Sequence, residues 1–275
     1  MKNFGKLVLT AVFATVLGGM CMACYSGKEL NDDRKQVTQN RAVGYFSKIE
    51  SRGSADIRFV QGKGSSVRIV GPKSAVDNML LEKKGDALTI TQRSGSHIFN
   101  NDYGNVTIYI TSPDITAVSI IGSGSFTATS DIDTDNLYMT IKGSGDIALR
   151  GVVCDAATLE TRGSGDIECG AIDTRSAKVS SIGSGDIEMK SLKADNANFL
   201  ARGSGDITAA LKNVATTNIA TYGSGDIAVR MTGCGLATAA TYGSGDITLS
   251  GSLRSLQQTS KGSGDINTSR LTYIK

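Results

Sequence analysis

One pentapeptide constrains this chain more than anything else in it. Gly-Ser-Gly-Asp-Ile begins at Gly143, Gly163, Gly183, Gly203, Gly223, Gly243 and Gly262, at intervals of twenty residues and, for the last, nineteen. A degenerate copy, Gly122-Ser123-Gly124-Ser125-Phe126, precedes them by twenty-one residues. A unit of this size cannot close a core alone, so a fixed period means that each copy buries its apolar side chains against the next.

Aligned on the first Gly, the copies form columns. Four residues on stand Phe126, Ile147, Ile167, Ile187, Ile207, Ile227, Ile247 and Ile266; six on stand Leu149, Cys169, Met189, Ala209, Val229 and Leu249. Val152, Ile172 and Leu192 lie nine on, and Leu159, Val179, Phe199, Ile219 and Ala239 sixteen on. Apolar residues thus alternate with polar ones in short segments broken by Gly, Ser and Asp, which is the period of strands and not of helices. The fold expected is all-β, a right-handed parallel β-helix of ~20-residue coils. Eight coils at the inter-strand spacing would make a rod ~38 Å long. A leucine-rich horseshoe has a similar period but a Leu and Asn pattern that is absent here.

The residues ahead of the repeat divide into three parts. Lys2 and Lys6, the apolar run Leu7 to Met20, and Met22-Ala23 before Cys24 read as a signal peptide over 1–23. It resembles a bacterial lipoprotein leader. Cys24, after the small Ala23, is the candidate for lipidation, and Cys21, after the bulky Met20, is the other. Residues 24–40 are polar and read as a tether. Residues 41–121 read as a strand-rich cap with the first coil or coils, and 122–275 as the repeat itself. Within the cap, alternation predicts strands at 45–49, 56–61, 66–70, 87–92 and 106–111, a turn at Gly71-Pro72, and one helical turn or irregular chain over 74–81. Arg52-Gly53-Ser54-Ala55-Asp56-Ile57 echoes the pentapeptide, so a coil is expected there. The loop 94–103 carries the single histidine, His97. At the other end, Arg270 and Lys275 are expected to blunt a strand edge.

Asp146, Asp166, Asp186, Asp206, Asp226, Asp246 and Asp265 would stack ~5 Å apart, where like charges repel. Two compensations are open. Each carboxylate could accept from the Ser and Gly N–H groups of its own turn, helped by the basic residue that precedes Gly-Ser-Gly in four coils. The rival is a ladder of cations on oxygen ligands. Asp131 to Asn136 resembles the start of an EF-hand loop, but Asn136 stands where Gly belongs and Lys142 where the bidentate Glu belongs. Cys154 and Cys234 share a column ~19 Å apart, beyond disulfide reach, and with Cys169 read as small buried hydrophobes.

One histidine excludes a Ser/His/Asp triad or a two-His metal site. From Cys24 onward there are 27 basic and 26 acidic residues. With no basic stripe and no aromatic platform, nucleic acid is not an expected partner. No cofactor or metal is expected. Tyr222 and Tyr242 should stack one coil apart, and with the 94–103 loop and the Asp131 to Asn136 turn they mark where recognition would sit.

The segments 41–49, 54–57 and 106–110, together with the Gly-Ser-Gly-Asp-Ile coils, make the chain similar from about Gln39 onward to the Bacteroidetes lipoprotein-like family of putative auto-transporter adhesins with a head GIN domain. The resemblance implies a right-handed β-helix exported to the envelope and acting in adhesion, with no catalytic residues to transfer. The reading that follows is a non-enzymatic surface protein. It would be lipid-anchored to the outer membrane of a Gram-negative cell and contact glycans or envelope or host proteins. Two alternatives stand beside it: a polysaccharide lyase or hydrolase using carboxylates such as Asp186 or Glu188, and an envelope spacer that binds another lipoprotein.

Overall fold

The computed structural model describes residues 35–93 and 105–275. The leader, Cys21, Cys24 and the 94–103 loop with His97 lie outside the described residues.

In every coil an apolar residue points inward, its neighbour outward, and the next inward again. The strand Ile167–Gly183 shows it: Ile167, Cys169 and Ile172 are buried while Glu168 and Asp173 are exposed. Equivalent residues of successive coils then pair in parallel. Ile147, Ile167, Ile187, Ile207, Ile227, Ile247 and Ile266 form one unbroken register. Leu159, Val179, Phe199, Ile219 and Ala239 form a second. Val152, Ile172 and Leu192 begin a third, which crosses to Leu211 through a register shift. The product is a parallel β-solenoid of about eight turns. Its core is the stack of these columns, and each buried Ile contributes about 1.5–3 kcal/mol.

The turns between faces bring backbone onto backbone. A Cβ at Gly163 would lie 2.2 Å from the Gly143 carbonyl oxygen, and φ there is +152°. A Cβ at Gly165 would lie 1.9 Å from the Gly145 oxygen. Any side chain at either position would force the coils apart, which explains why both glycines recur.

The echo at Gly53 is a true coil. Lys48–Gly53 pairs in parallel with Ala117–Gly122, aligning Gly53 with Gly122, and Ile57 aligns with Phe126. The Phe126 ring stacks on Phe59 at 5.7 Å, filling the core where Ile serves later. Beyond this coil Ala87–Gln92 and Thr107–Ser112 still pair in parallel with it, against Lys48–Gly53 and Asp56–Gln61, and only the strands added to that layer are antiparallel. Ser66–Pro72 pairs antiparallel with Thr107–Ser112 on one face, and Met79–Lys84 with Ala87–Gln92 on another. Phe46 and Val76, both fully buried, lie beneath them, and the Ser112 hydroxyl donates to the Phe46 carbonyl at 2.6 Å.

Three local expectations change here. The stretch expected as the end of a tether is the strand Gln36–Arg41, antiparallel to Ser66–Pro72. Gly71 and Pro72 do not turn but extend that strand, since Gln36 and Val37 pair with them at its end. In the 74–81 segment the expected helical turn is present as Lys73–Asp77, and the change is that the strand Met79–Lys84 begins in its last residues. The first two are tertiary effects, because each segment becomes a strand only when a neighbouring edge supplies its hydrogen bonds.

Gly165→Ala should therefore cost about 3 kcal/mol or more, because the clash is with backbone and not with a side chain that can move. Ser164→Ala, one residue away and exposed, should be near neutral. Urea denaturation followed by circular dichroism compares the two.

Candidate functional site: the turn ladder and the open faces

The aspartate column lies on the corner of the rod, and its compensation comes from across the coils. The Asp166 N–H donates to Asp146 Oδ1 at 3.0 Å, Asp186 to Asp166 at 2.8 Å, and Asp206 to Asp186 at 2.8 Å. Asp226, Asp246 and Asp265 continue the chain at 2.7, 2.7 and 2.8 Å. Every carboxylate but that of Asp265, in the last coil, thus accepts from the aspartate of the next coil and not, as expected, from its own turn. The Ser and Gly N–H groups are engaged elsewhere: Ser164 and Gly165 both donate to the Gly143 carbonyl, at 2.8 and 3.2 Å. At the first junction Ser125 replaces the acid, and its hydroxyl donates to Asp56 at 2.7 Å. A charge-assisted bond to a backbone N–H offsets the repulsion between neighbouring carboxylates.

A second ladder was not anticipated. Thr161, Ser181, Thr221, Thr241 and Ser260, two residues before the first Gly, donate their hydroxyls inward to Gly165, Gly185, Gly225, Gly245 and Gly264 carbonyls at 2.6–2.9 Å. Small hydroxyl residues recur in that column, and this was the available signal. Columns of small polar residues read as exposed unless their partner is known.

The other marked residues fall into place separately. Tyr222 and Tyr242 stack as expected, with ring centroids 4.7 Å apart and planes 9° from parallel. Arg202 lies over the far face of Tyr222 at 5.5 Å. The facing sides of the rings close on each other and are thereby withdrawn from sugar stacking. The Asp131 to Asn136 turn is pinned and not simply solvated. Ile132 is fully buried, Asp133 N–H donates to Gln61 at 2.8 Å, Gln61 Nε2 donates back to the Asp133 carbonyl at 2.7 Å, and Asp131 faces Arg150 at 3.4 Å. Asp186 and Glu188 both point outward on either side of buried Ile187, and Asp186 is already held by the Asp206 N–H. Among the described residues no group of three or more His, Cys, Asp or Glu is placed to hold a metal.

Cys154, Cys169 and Cys234 are free and buried. Burial pushes the Cys169 thiol up to about 12, with the nearby Glu168 carboxylate adding to it. Burial also raises Cys154, although its bond with the Thr174 hydroxyl works the other way.

Outside the core, the side chains spread over continuous sheet faces, and the depressions on them are shallow. One of about 360 Å³ lies beside Asn198, Asn218, Arg202 and the tyrosine pair. Another of about 500 Å³ lies where Arg68 covers the Tyr109 ring at 4.1 Å. A third of about 290 Å³ runs past Lys190, Arg230 and Arg270.

These features define a class: a parallel β-solenoid stabilised by turn ladders, with open outer faces. Residues 45–229 match the family described as putative auto-transporter adhesin, head GIN domain, and the chain belongs to that family. Among solved structures it is similar to a putative adhesin from Parabacteroides merdae, with 20% identity, 88% of this chain and 97% of the other covered, and a TM-score of 0.77. A putative adhesin from Parabacteroides distasonis gives 20% identity, 86% and 98% coverage, and 0.74. A putative lipid binding protein from the same species gives 24% identity, 87% and 97% coverage, and 0.73. At these identities the structures share the fold. The family and these neighbours are described as adhesins or lipid-binding proteins and not as enzymes. The chain matches no curated protein sequence. Among the described residues no helix is long and apolar enough to cross a membrane.

Two outcomes follow from the side chains at hand. Asp206→Ala leaves the Asp226 N–H without its acceptor and should cost about 1–2 kcal/mol, whereas Asp206→Asn keeps an oxygen and sheds a charge and should cost less than half of that. Differential scanning calorimetry of the two variants tests the ladder. The thiols give a pH signature. The unfolded Cys169 ionises near 9.0 and the folded one near 12, so the folded chain holds its proton longer. Stability is full below about 9 and falls as pH rises toward 12, by roughly 1.4 kcal/mol per unit in that window. Ellman's reagent at pH 8 should label Cys154, Cys169 and Cys234, all buried, only after denaturation.

Proposed function

We propose that this protein is an exported, lipid-anchored, non-catalytic adhesin that presents the flat faces of a rigid β-solenoid to glycans or proteins on a neighbouring surface. The observation that carries the reading is the division of polar groups in each coil. The repeated Asp, Ser and Gly atoms bond coil to coil, so the repeat builds stiffness. The variable side chains stand outward on faces that run across many coils. A surface of this kind suits extended contact, whereas glycan-cleaving chemistry gathers unlike acids in a cleft. Membership of an adhesin family supports the same reading. The leader supports export, and Cys24, preceded by Ala23, supports an anchor. Acyl chains at one cysteine, each contributing about 0.8 kcal/mol per buried CH₂, would hold the protein at a membrane.

In cell fractionation with palmitate labelling, Cys24→Ser should lose label and leave the membrane fraction, whereas Cys21→Ser should keep both. Deleting the gene should lower adherence of the cells to surfaces coated with host or bacterial glycans and glycoproteins. Equal adherence of the deletion strain would overturn the adhesin reading, and recovery of a stoichiometric lipoprotein partner would favour a spacer instead.

A further inference from the structure

The outer face that follows the isoleucine column carries a spacing that the repeat itself does not require. One position per coil reads Arg150, Gly170, Lys190, Ala210, Arg230, Ser250 and Arg270, a cation alternating with a small residue. Ala210 pairs with Arg230, Arg230 with Ser250, and Ser250 with Arg270, while Lys190 follows Met189, the partner of Ala209, and stands at the register shift between Met189 and Leu192. Counting from the first Gly would place Ser269, not Arg270, at this position. A register shift between Thr248 and Ser250 inserts one residue, and Asn267 Oδ1 holds it by accepting from the Ser269 N–H at 3.0 Å and hydroxyl at 2.8 Å. The bulge thereby brings a third cation into line, and Arg270 lines a face instead of only guarding an edge.

Arg150 is occupied by Asp131 at 3.4 Å. Lys190, Arg230 and Arg270 are exposed, and among the described residues no carboxylate pairs with them. They line one depression of about 290 Å³ together with Thr208, Ala228 and Thr248. Glu188 is the one acid on its wall, beside Lys190, so the positive field is strongest at Arg230 and Arg270. Neighbouring cations are two coils apart, roughly 9.6 Å at the inter-strand spacing. That is close to the length of one disaccharide in an extended β-linked chain.

We propose that this groove binds a linear acidic polysaccharide with one anionic group per disaccharide, lying along the solenoid axis. Each carboxylate or sulfate meets one cation, and the intervening neutral sugar passes over Ala210 or Ser250. Thr208 and Thr248 offer hydroxyls to the sugar ring. An anionic group on every sugar would place every second charge over a small residue with no counter-charge, which is the basis of discrimination. This assignment rests on the reading of the protein as a glycan-contacting adhesin and names its ligand class.

The test is calorimetric titration of the full chain in detergent with four probes: hyaluronan octasaccharide, oligogalacturonate of equal length, a neutral chitooligosaccharide, and glycerophosphoglycerol as the headgroup of an anionic lipid. Hyaluronan should bind most tightly and weaken with salt. Arg230→Ala and Arg270→Ala should each weaken it roughly tenfold, as expected for a charge-assisted contact. Arg175→Ala, at a cation already paired with Asp155, should not change it. The decisive variant combines Arg230→Ala with Ala210→Arg, which keeps the net charge and breaks the two-coil spacing. It should bind as poorly as Arg230→Ala alone. Recovery of binding in that variant, equal affinity for oligogalacturonate, equal affinity for the headgroup, or no binding of hyaluronan would overturn the proposal. The adherence assay separates the two readings. Loss of adherence on gene deletion, with wild-type adherence in Arg230→Ala, would leave the adhesin standing and remove this groove. Arginine-dependent hyaluronan binding with unchanged adherence on deletion would do the reverse.

Discussion

Everything in this structure depends on how closely two coils can approach at the Gly-Ser-Gly turn. With the Gly165 α-carbon against the Gly145 carbonyl there is no space for a methyl group. That approach sets the distance at which the isoleucine columns pack and the parallel strands share hydrogen bonds. It also lets the Asp166 N–H reach the Asp146 carboxylate. A looser turn would weaken all three at once, because in a solenoid each coil is stabilised mainly by its two neighbours.

The aspartates illustrate how an arrangement that looks costly becomes structural. A column of like charges at strand spacing is unfavourable if the groups only face each other. Here each carboxylate from Asp146 to Asp246 receives an N–H from the next coil. The charge therefore satisfies a backbone group that would otherwise be left to solvent. Beneath it, the Thr and Ser hydroxyls satisfy the carbonyl of the second glycine from the inside. The turn is held from both sides, and the rod owes its rigidity to polar contacts at its corners as much as to its apolar core.

Much of this was legible in the sequence, for a physical reason. A strict period turns one-dimensional spacing into three-dimensional neighbourhood, so Ile167 above Ile147 or Tyr242 above Tyr222 follows from counting. Counting fails where the period fails. Arg270 is misassigned by its offset because the Asn267 bulge adds a residue, and Gln36–Arg41 looks like linker because its strand character is borrowed from Ser66–Pro72. It also fails for direction. That Asp206 is bonded by Asp226 and not by its own turn depends on which way each N–H points, and the residue types do not encode it.

The sequence alone thus determined the class of fold, the identity of the core columns and the burial of the cysteines. All of these are consequences of periodic alternation. Only the tertiary structure decided where the polar atoms go, how antiparallel strands are added ahead of the first coil, and which outward side chains share a face. Those depend on register between segments far apart in the chain. The grouping of Lys190, Arg230 and Arg270 belongs to that second group: three unremarkable basic residues in the sequence line one depression once the coils are stacked.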